Sequence, residues 1–381
     1  MPTPVLESLV RWAEVSVAAL QHNAALIRGL LQPSVQLMAM VKSDGYGHGA
    51  VTAARAAIAG GATWLGVYTP GEALALRDAG IETRLLVVGW SPPPSLADMI
   101  TRDVDVTVLD AAGVDAVRTT AVALRARARV HVKIDSGLGR LGARPESLRA
   151  LSTSLGAAAD EVEVAGVFTH FADPERDPDY TREQHERFLS AADQLHPVTP
   201  RALLHACGSA AILGFPEMHH DLVRLGIALY GYLPVDLTAA PGLRPAMSLF
   251  ARVSQVKTVA AGETVGYGRT WTAPAARRIA TVAIGYGQGV PRSLSNRGTL
   301  VIAGHRCPIA GIVNMDQVTV DVSDVRGVGR GEPAMVFGVR GSVRQGADLV
   351  AELVGTIPHE LLCGVSAQVP RIAVDAAPPA E

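Results

Sequence analysis

Charge of one sign is missing from this chain: 34 Lys and Arg residues face 36 Asp and Glu over 381 residues, a formal net charge of −2. That balance removes the electrostatic case for nucleic acid or an anionic membrane as partner. No apolar run approaches the roughly 20 residues that span a bilayer. The first residues carry Glu7 and Arg11 and no long apolar stretch, so a secretory signal is not expected. Cysteine is scarce: Cys207, Cys307 and Cys363 have neither metal-site spacing nor that of a paired framework. A reducing cytoplasmic setting and no bound metal are the expectation. Internal repeats are absent, and low complexity is confined to Ala376–Ala380, a tail expected to fray. Apolar residues, by contrast, are plentiful. At 48% hydrophobic and 18% charged, the chain can fill a large core, and its length asks for two domains.

Up to about residue 233, short apolar runs alternate with alanine-rich helical stretches. The runs are Val35–Lys42, Thr63–Tyr68, Arg84–Gly89, Val104–Leu109, Arg129–Asp135, Val162–His170, Ala202–Ala206 and Leu222–Leu225. Helices are expected over Gly49–Ala59, Pro70–Ala79, Ala111–Arg127 and Tyr180–Leu195. Eight strands with intervening helices predict an α/β fold of the (β/α)8 TIM-barrel type. A doubly wound sheet is the alternative, but no G-x-G-x-x-G follows the first strand. Past Pro241 the texture changes to alternating or apolar segments rich in Gly and Pro: Met247–Val259, Arg278–Gly285, Gly298–Ile302 and Gln317–Val322. One helix is expected near Gly346–Val354. The predicted division is a barrel over residues 12–240 and a mostly-β domain over 241–381, with residues 1–11 packing on the latter and the boundary near Leu233–Pro245.

The run Val35–Val41 ends in Lys42, followed by Ser43-Asp44-Gly45-Tyr46-Gly47-His48-Gly49. A long amine at the end of a buried strand must shift its pKa or find a partner. At the C-terminal mouth of a barrel it faces the region where ligands bind. The bland alternative is a lysine that snorkels to solvent. The glycine-rich loop and the neighbouring Tyr46 and His48 favour instead an anchor for an aldehyde cofactor. Lys133, His170, His205 and Arg224 recur at the ends of later apolar runs, and together they outweigh any one polar residue. Ser209 and Gly226 fall in the last two loops, where barrel folds bind phosphate, although a helix cap and a turn glycine would explain them separately.

Ala39-Met40-Val41-Lys42-Ser43-Asp44-Gly45-Tyr46-Gly47-His48-Gly49 closely resembles the pyridoxal-phosphate attachment segment of bacterial alanine racemases. The resemblance extends to Asp135-Ser136-Gly137-Leu138-Gly139-Arg140-Leu141-Gly142, to Glu263–Trp271 around Gly266-Tyr267-Gly268, and to Asn314-Met315-Asp316-Gln317. It implies pyridoxal 5'-phosphate held by Lys42, Tyr46, Arg140, His170, Ser209, Arg224, Gly226, Ile227 and His359. It further implies that Arg140, Tyr267 and the Met315 amide meet the substrate, and that Lys133 carries a carbamate supporting Arg140, a salt bridge being the alternative. Asp316 and Tyr286 would support the site. Lys42 and Tyr267 become the two acid/base groups, Tyr267 coming from the other subunit of a homodimer beside His170. A tyrosine titrates near 10, so its surroundings must shift it for such work. Arg224 would offer the pyridine nitrogen a hydrogen bond without giving up its proton, limiting side reactions. The implied activity is interconversion of L- and D-alanine, supplying D-alanine for peptidoglycan.

Three positions depart from the family pattern. Gly208 stands where Asn is common, Gly285-Tyr286-Gly287-Gln288-Gly289 replaces G-Y-A-D-G, and His359 replaces a tyrosine that crowds the substrate methyl. His359 suggests a wider pocket that admits serine. A racemase of another small amino acid, a decarboxylase of related fold and a non-catalytic carrier of the cofactor are the alternatives. Gly266-Tyr267-Gly268 argues against the second, and a second domain bearing Tyr267 and Met315 argues against the third.

Overall fold

Strand β1, Arg11–Ser16, leads into the helix Val17–Leu30, which Ser16 caps by accepting the Ala19 N–H on its Oγ at 3.1 Å. The protein is described here by a computed structural model covering residues 7–233 and 242–375. The expected tail Ala376–Ala380 and residues 234–241 of the expected boundary lie outside the described residues. Eight parallel strands follow: β2 (Gln36–Met40), β3 (Trp64–Val67), β4 (Arg84–Trp90), β5 (Asp105–Val108), β6 (Ala128–Lys133), β7 (Val162–Phe168), β8 (Leu203–His205) and β9 (Leu222–Leu225). They pair in the order β8-β7-β6-β5-β4-β3-β2-β9. At the seam between β8 and β9, Asp221 N–H donates to Leu204 O at 3.1 Å and Arg224 N–H to Cys207 O at 3.0 Å. The expected (β/α)8 barrel is therefore present.

Barrel strands are covered on both faces, by the barrel interior and by the helical ring. β3, β5 and β9 are buried along their whole length, so their sequences read as continuous apolar runs rather than alternations. The ladders stop short of the runs that announce them: β2 ends at Met40, β6 at Lys133 and β7 at Phe168. Lys42, Asp135 and His170 consequently sit just past their strands, at the mouth of the barrel.

The second unit is a nine-stranded sheet built on β10, Met247–Val259, which pairs antiparallel with β1, Arg277–Val282 and Pro333–Arg340. β1 also lies parallel to Arg371–Val374. The mostly-β expectation holds, and the expected helix is found at Ala347–Val354. A second short helix, Pro358–Cys363, was not legible in the sequence, and it carries His359 against the barrel mouth. Among the described residues, no helix is long and apolar enough to cross a membrane. No group of three His, Cys, Asp or Glu side chains there could hold a metal.

Candidate active site

A cavity at the C-terminal mouth of the barrel is lined by Lys42, Lys133, Arg140, His170, Arg224 and His359, among others. After Lys42 the backbone turns left-handed: Ser43, Asp44 and Tyr46 have φ of 53°, 52° and 51°. Each such non-glycine residue costs about 1–2 kcal/mol. Side chains hold the turn. Glu72 accepts the Ser43 N–H at 2.6 Å and the Tyr68 and Thr69 N–H groups at 2.8 and 3.0 Å, while Asp44 Oδ1 accepts from Ala50 at 2.8 Å. Thr69-Pro70-Gly71-Glu72 is a capping box whose pattern can be read in the sequence; its second task, clasping the residue after Lys42, cannot.

Burial, and then the charge of Arg140, lower the pKa of Lys42, with Glu72 and Cys363 opposing. Its Nζ lies 5.8 Å from the ring centre of Tyr46 and 5.9 Å from that of Tyr68. Tyr46 stacks on Tyr230 at 4.7 Å, and Tyr230 Oη donates to Met40 O at 2.8 Å, tying the turn to the strand it leaves.

Ser209 and Gly226 meet directly. Ser209 Oγ accepts the N–H groups of Gly226 at 3.0 Å and Ala228 at 3.3 Å, joining the last two loops. A Cβ at Gly226 would stand 3.2 Å from Tyr46 Oη and 3.6 Å from Ser209 Oγ, so glycine leaves open a hollow ringed by two hydroxyls. Ile227 follows in a short 3-10 turn. Gly208, not Ser209, is the cap residue of the helix Ser209–Gly214, and Ser209 makes no capping bond. The helix-cap alternative for Ser209 therefore fails.

Arg224 is buried and held by both terminal nitrogens. Nη1 donates to His205 Nδ1 and His205 O, each at 3.0 Å; Nη2 donates to Thr169 O at 2.6 Å and Ala206 O at 2.8 Å, and lies 3.2 Å from His170 Nδ1. Burial brings its pKa down to about 10, so the guanidinium stays charged at neutral pH. His170 is held neutral, well below its usual value, by burial and then by Arg224, Lys133, Arg140 and Lys42. Lys133 is 6% exposed and sits over the Phe168 ring at 4.2 Å. Burial, Arg224 and Arg140 push its amine down to about 7. It makes no ion pair with a carboxylate among the described residues, so the salt-bridge alternative is not realised. Arg140 reaches the same cavity from the exposed loop after β6. His359 lies 5.8 Å from the Tyr46 ring, is held down at about 4 by burial and by Lys42, and leaves a buried Nδ1 without a partner.

Tyr267, Tyr286, Met315 and Asp316 do not line this cavity within the chain. Tyr267 is 75% exposed, Met315 57% and Tyr286 45%. The last two are built together: Tyr286 N–H donates to Asn314 O and Gly287 N–H to Met315 O, both at 2.9 Å. Any Cβ at Gly285 would fall 2.1 Å from Asn314 O, so only glycine admits this approach. Gln288, in the unusual Gly285–Gly289 segment, accepts from Gly285 N–H and donates to Asp316 at 2.8 Å, while Arg11 reaches Asp316 at 3.4 Å.

An eight-stranded barrel whose mouth gathers a destabilised ammonium, Arg140, Arg224 and a hollow ringed by two hydroxyls defines an α/β-barrel enzyme built to hold an anionic ligand. The alanine racemase N-terminal domain model matches residues 15–234 and the alanine racemase C-terminal domain model residues 246–373. An alanine racemase of Symbiobacterium thermophilum is 41% identical over 364 residues, covering 94% of this chain and 96% of that protein. Alanine racemase 2 of Oceanobacillus iheyensis is 39% identical over 363 residues, covering 95% and 92%. The alanine racemase structure from Streptomyces coelicolor superposes with a TM-score of 0.92 at 34% identity, covering 98% of this chain and 100% of that one. The Bacillus anthracis alanine racemase structure, with bound L-Ala-P, gives 0.90 at 34% identity, covering 97% and 96%. The chain belongs to the alanine racemase family.

Pyridoxal phosphate needs an amine, an anion cradle and a partner for its ring nitrogen. Lys42 offers an amine with a lowered pKa, and Gly226 leaves a hollow in which an anion would meet the Tyr46 and Ser209 hydroxyls. Arg224 lines the cavity, and its Nε is the guanidinium N–H without a hydrogen bond among the described residues. The orphaned His359 Nδ1 adds a polar atom wanting a partner. The residues fit the group.

Proposed function

We propose that this protein interconverts L- and D-alanine with pyridoxal 5'-phosphate as its cofactor, working as a homodimer whose two sites each draw on both subunits. The observation that supports this most is Lys42, an amine with a lowered pKa on a left-handed turn at the mouth of a family-typed barrel. Lys42 would hold the cofactor's aldehyde carbon, Tyr46, Ser209, Gly226, Ile227 and His359 its phosphate, and Arg224, with His170 and Arg140 nearby, its ring. When bound, the pyridoxal group withdraws electrons from the substrate Cα and acidifies its hydrogen.

Lys42 Nζ exchanges a proton with Cα on one face, and the partner subunit's Tyr267 does so on the other. Bases on opposite faces account for inversion without a single base that must travel. Arg224 keeps its proton and offers only a hydrogen bond. Arg140 and the partner subunit's Met315 amide hold the substrate carboxylate, Lys133 as a carbamate steadies Arg140, and Tyr286 and Asp316 support the Met315 turn. The working division is a barrel over residues 12–240, apart from the β1 residues that pair with β10, and a β domain over 241–381, in the cytoplasm, with D-alanine going to peptidoglycan. A second reading, broader specificity including serine, is favoured by His359.

Borohydride reduction of the cofactor-loaded protein, followed by peptide mapping, should place a pyridoxyl label on Lys42. Chiral analysis should show L-alanine converted to D-alanine. A label elsewhere, or a Lys42→Ala variant that still racemises, would overturn the assignment.

A further inference from the structure

Beneath the site a file of hydrogen bonds crosses the barrel interior. Arg224 Nη1 lies 3.0 Å from His205 Nδ1, His205 Nε2 lies 2.9 Å from His131 Nδ1, and His131 Nε2 lies 3.3 Å from Asp105 Oδ2. His205, His131 and Asp105 are completely buried. One placement of protons satisfies every link. A guanidinium has only N–H groups to offer, so His205 Nδ1 must accept and its proton must sit on Nε2. That proton points at His131 Nδ1, which must accept in turn, leaving the His131 proton on Nε2 for Asp105 to receive. Asp105 can only accept, because Arg84 donates to Oδ2 at 2.9 Å and Arg129 Nε to Oδ1 at 2.7 Å. Burial opposes the Asp105 charge, but the His131 hydrogen bond and the two arginines override it and hold the carboxyl at about 2.

We propose that Asp105 is a positioning residue for Arg224: by accepting from His131 it sets the tautomers of His131 and His205 and keeps His205 Nδ1 open to the guanidinium. The proposal rests on the reading of Arg224 as the donor to the cofactor's ring nitrogen. With Nη1 committed to His205 and Nη2 to Thr169 O and Ala206 O, the guanidinium plane is fixed and Nε remains for the ligand. An asparagine at 105 breaks this order. Its NH2 must face either Arg129, or Arg84 and His131 together, so donor meets donor in each orientation. If His131 yields by moving its proton to Nδ1, His205 must do the same, and the conflict arrives at Arg224.

Neutron diffraction from the deuterated wild-type holoenzyme tests the assignment directly. Deuterium on Nε2 and none on Nδ1 of both His131 and His205 is expected; deuterium on Nδ1 of either overturns the proposal. In Asp105→Asn, kcat for alanine should fall roughly 10–100-fold, a typical effect of disturbing such a supporting bond. KM should stay roughly unchanged, and the visible band of the bound cofactor should shift. His131→Leu, which leaves the Asp105–Arg84–Arg129 ion pairs intact, should reproduce the kcat loss and the spectral shift. Folded variants with wild-type kcat and spectrum overturn the proposal. The tautomer readout needs no turnover, so a wild type that fails to racemise alanine counts against the proposed function alone.

Discussion

Glu72 accepts the amide of Ser43, the residue next to Lys42, at 2.6 Å, and closes a capping box with Thr69. One carboxylate thus starts the helix Pro70–Asp78 and fastens a strained turn on the neighbouring strand end. Glu72→Ala should lower stability by about 1–2 kcal/mol, the scale of a lost cap, in urea unfolding. It should also slow cofactor attachment at Lys42 more than Glu72→Gln does. Equal attachment rates for the two variants would argue against the clasp.

Tyr267 is far from being enclosed in its own chain, which makes complementation a sharp test. In the proposed homodimer, Lys42→Ala and Tyr267→Phe variants should each be nearly inactive. Subunit exchange between them should restore about a quarter of wild-type activity, because half the dimers in a statistical mixture are hybrids with one intact site. If Tyr267 serves its own chain's Lys42, mixing restores nothing.

In the proposed site His359 bears on substrate size. Discrimination by one small group is worth only about 1–3 kcal/mol, and a histidine leaves more room than a tyrosine. L-serine should therefore be racemised with a kcat/KM above about a hundredth of the alanine value. His359→Tyr should lower the serine value more than the alanine value. Chiral chromatography of both reactions decides the matter.

Lys133, held down at about 7, is substantially neutral at neutral pH and able to add carbon dioxide. Racemase activity should decline in carbon-dioxide-free buffer and return with bicarbonate, and 13C-bicarbonate should give a protein-bound carbamate NMR signal that Lys133→Ala lacks. Persistence of full activity without carbon dioxide, and no such signal, would leave Lys133 a plain amine.

His48 gives the acid limb of stability. Burial lowers it to about 4, from an unfolded value near 6.5, while its bonds to the Tyr46 and Gly45 carbonyls work the other way. A depressed folded pKa means that the unfolded chain takes up the proton first, so stability present above pH 6.5 is lost as pH falls through about 4. The loss approaches about 1.4 kcal/mol per pH unit in that window. His48→Gln should flatten this part of a urea-unfolding series between pH 7 and pH 4.5; an unchanged slope would count against it.

The barrel was legible because strands buried on both faces leave unbroken apolar runs, and the site because Lys42, Lys133, His170 and Arg224 interrupt those runs at one end. What escaped depends on distance or on brevity. β1 finds its partners only in β10 and Arg371–Val374, and no local pattern points there. Pro358–Cys363 is six residues long, too short for a helical period. The left-handed turn at Ser43–Tyr46 defies the propensities of serine, aspartate and tyrosine; Glu72 and Tyr230 from elsewhere in the chain, with Asp44 on Ala50, hold it. His131 and Asp105, each inside an apolar strand, read as isolated polar residues until the barrel stacks them.

The pairing of Arg11 with Ala251 has a consequence for synthesis on the ribosome. A strand made before the barrel must wait, unpaired, through translation of the whole barrel before its antiparallel neighbour emerges. Barrel assembly can proceed during that interval, whereas the second sheet can close only after the barrel is made. Slowed translation between β9 and β10 should therefore prolong the exposure of one early strand edge and leave the barrel's own maturation unaffected.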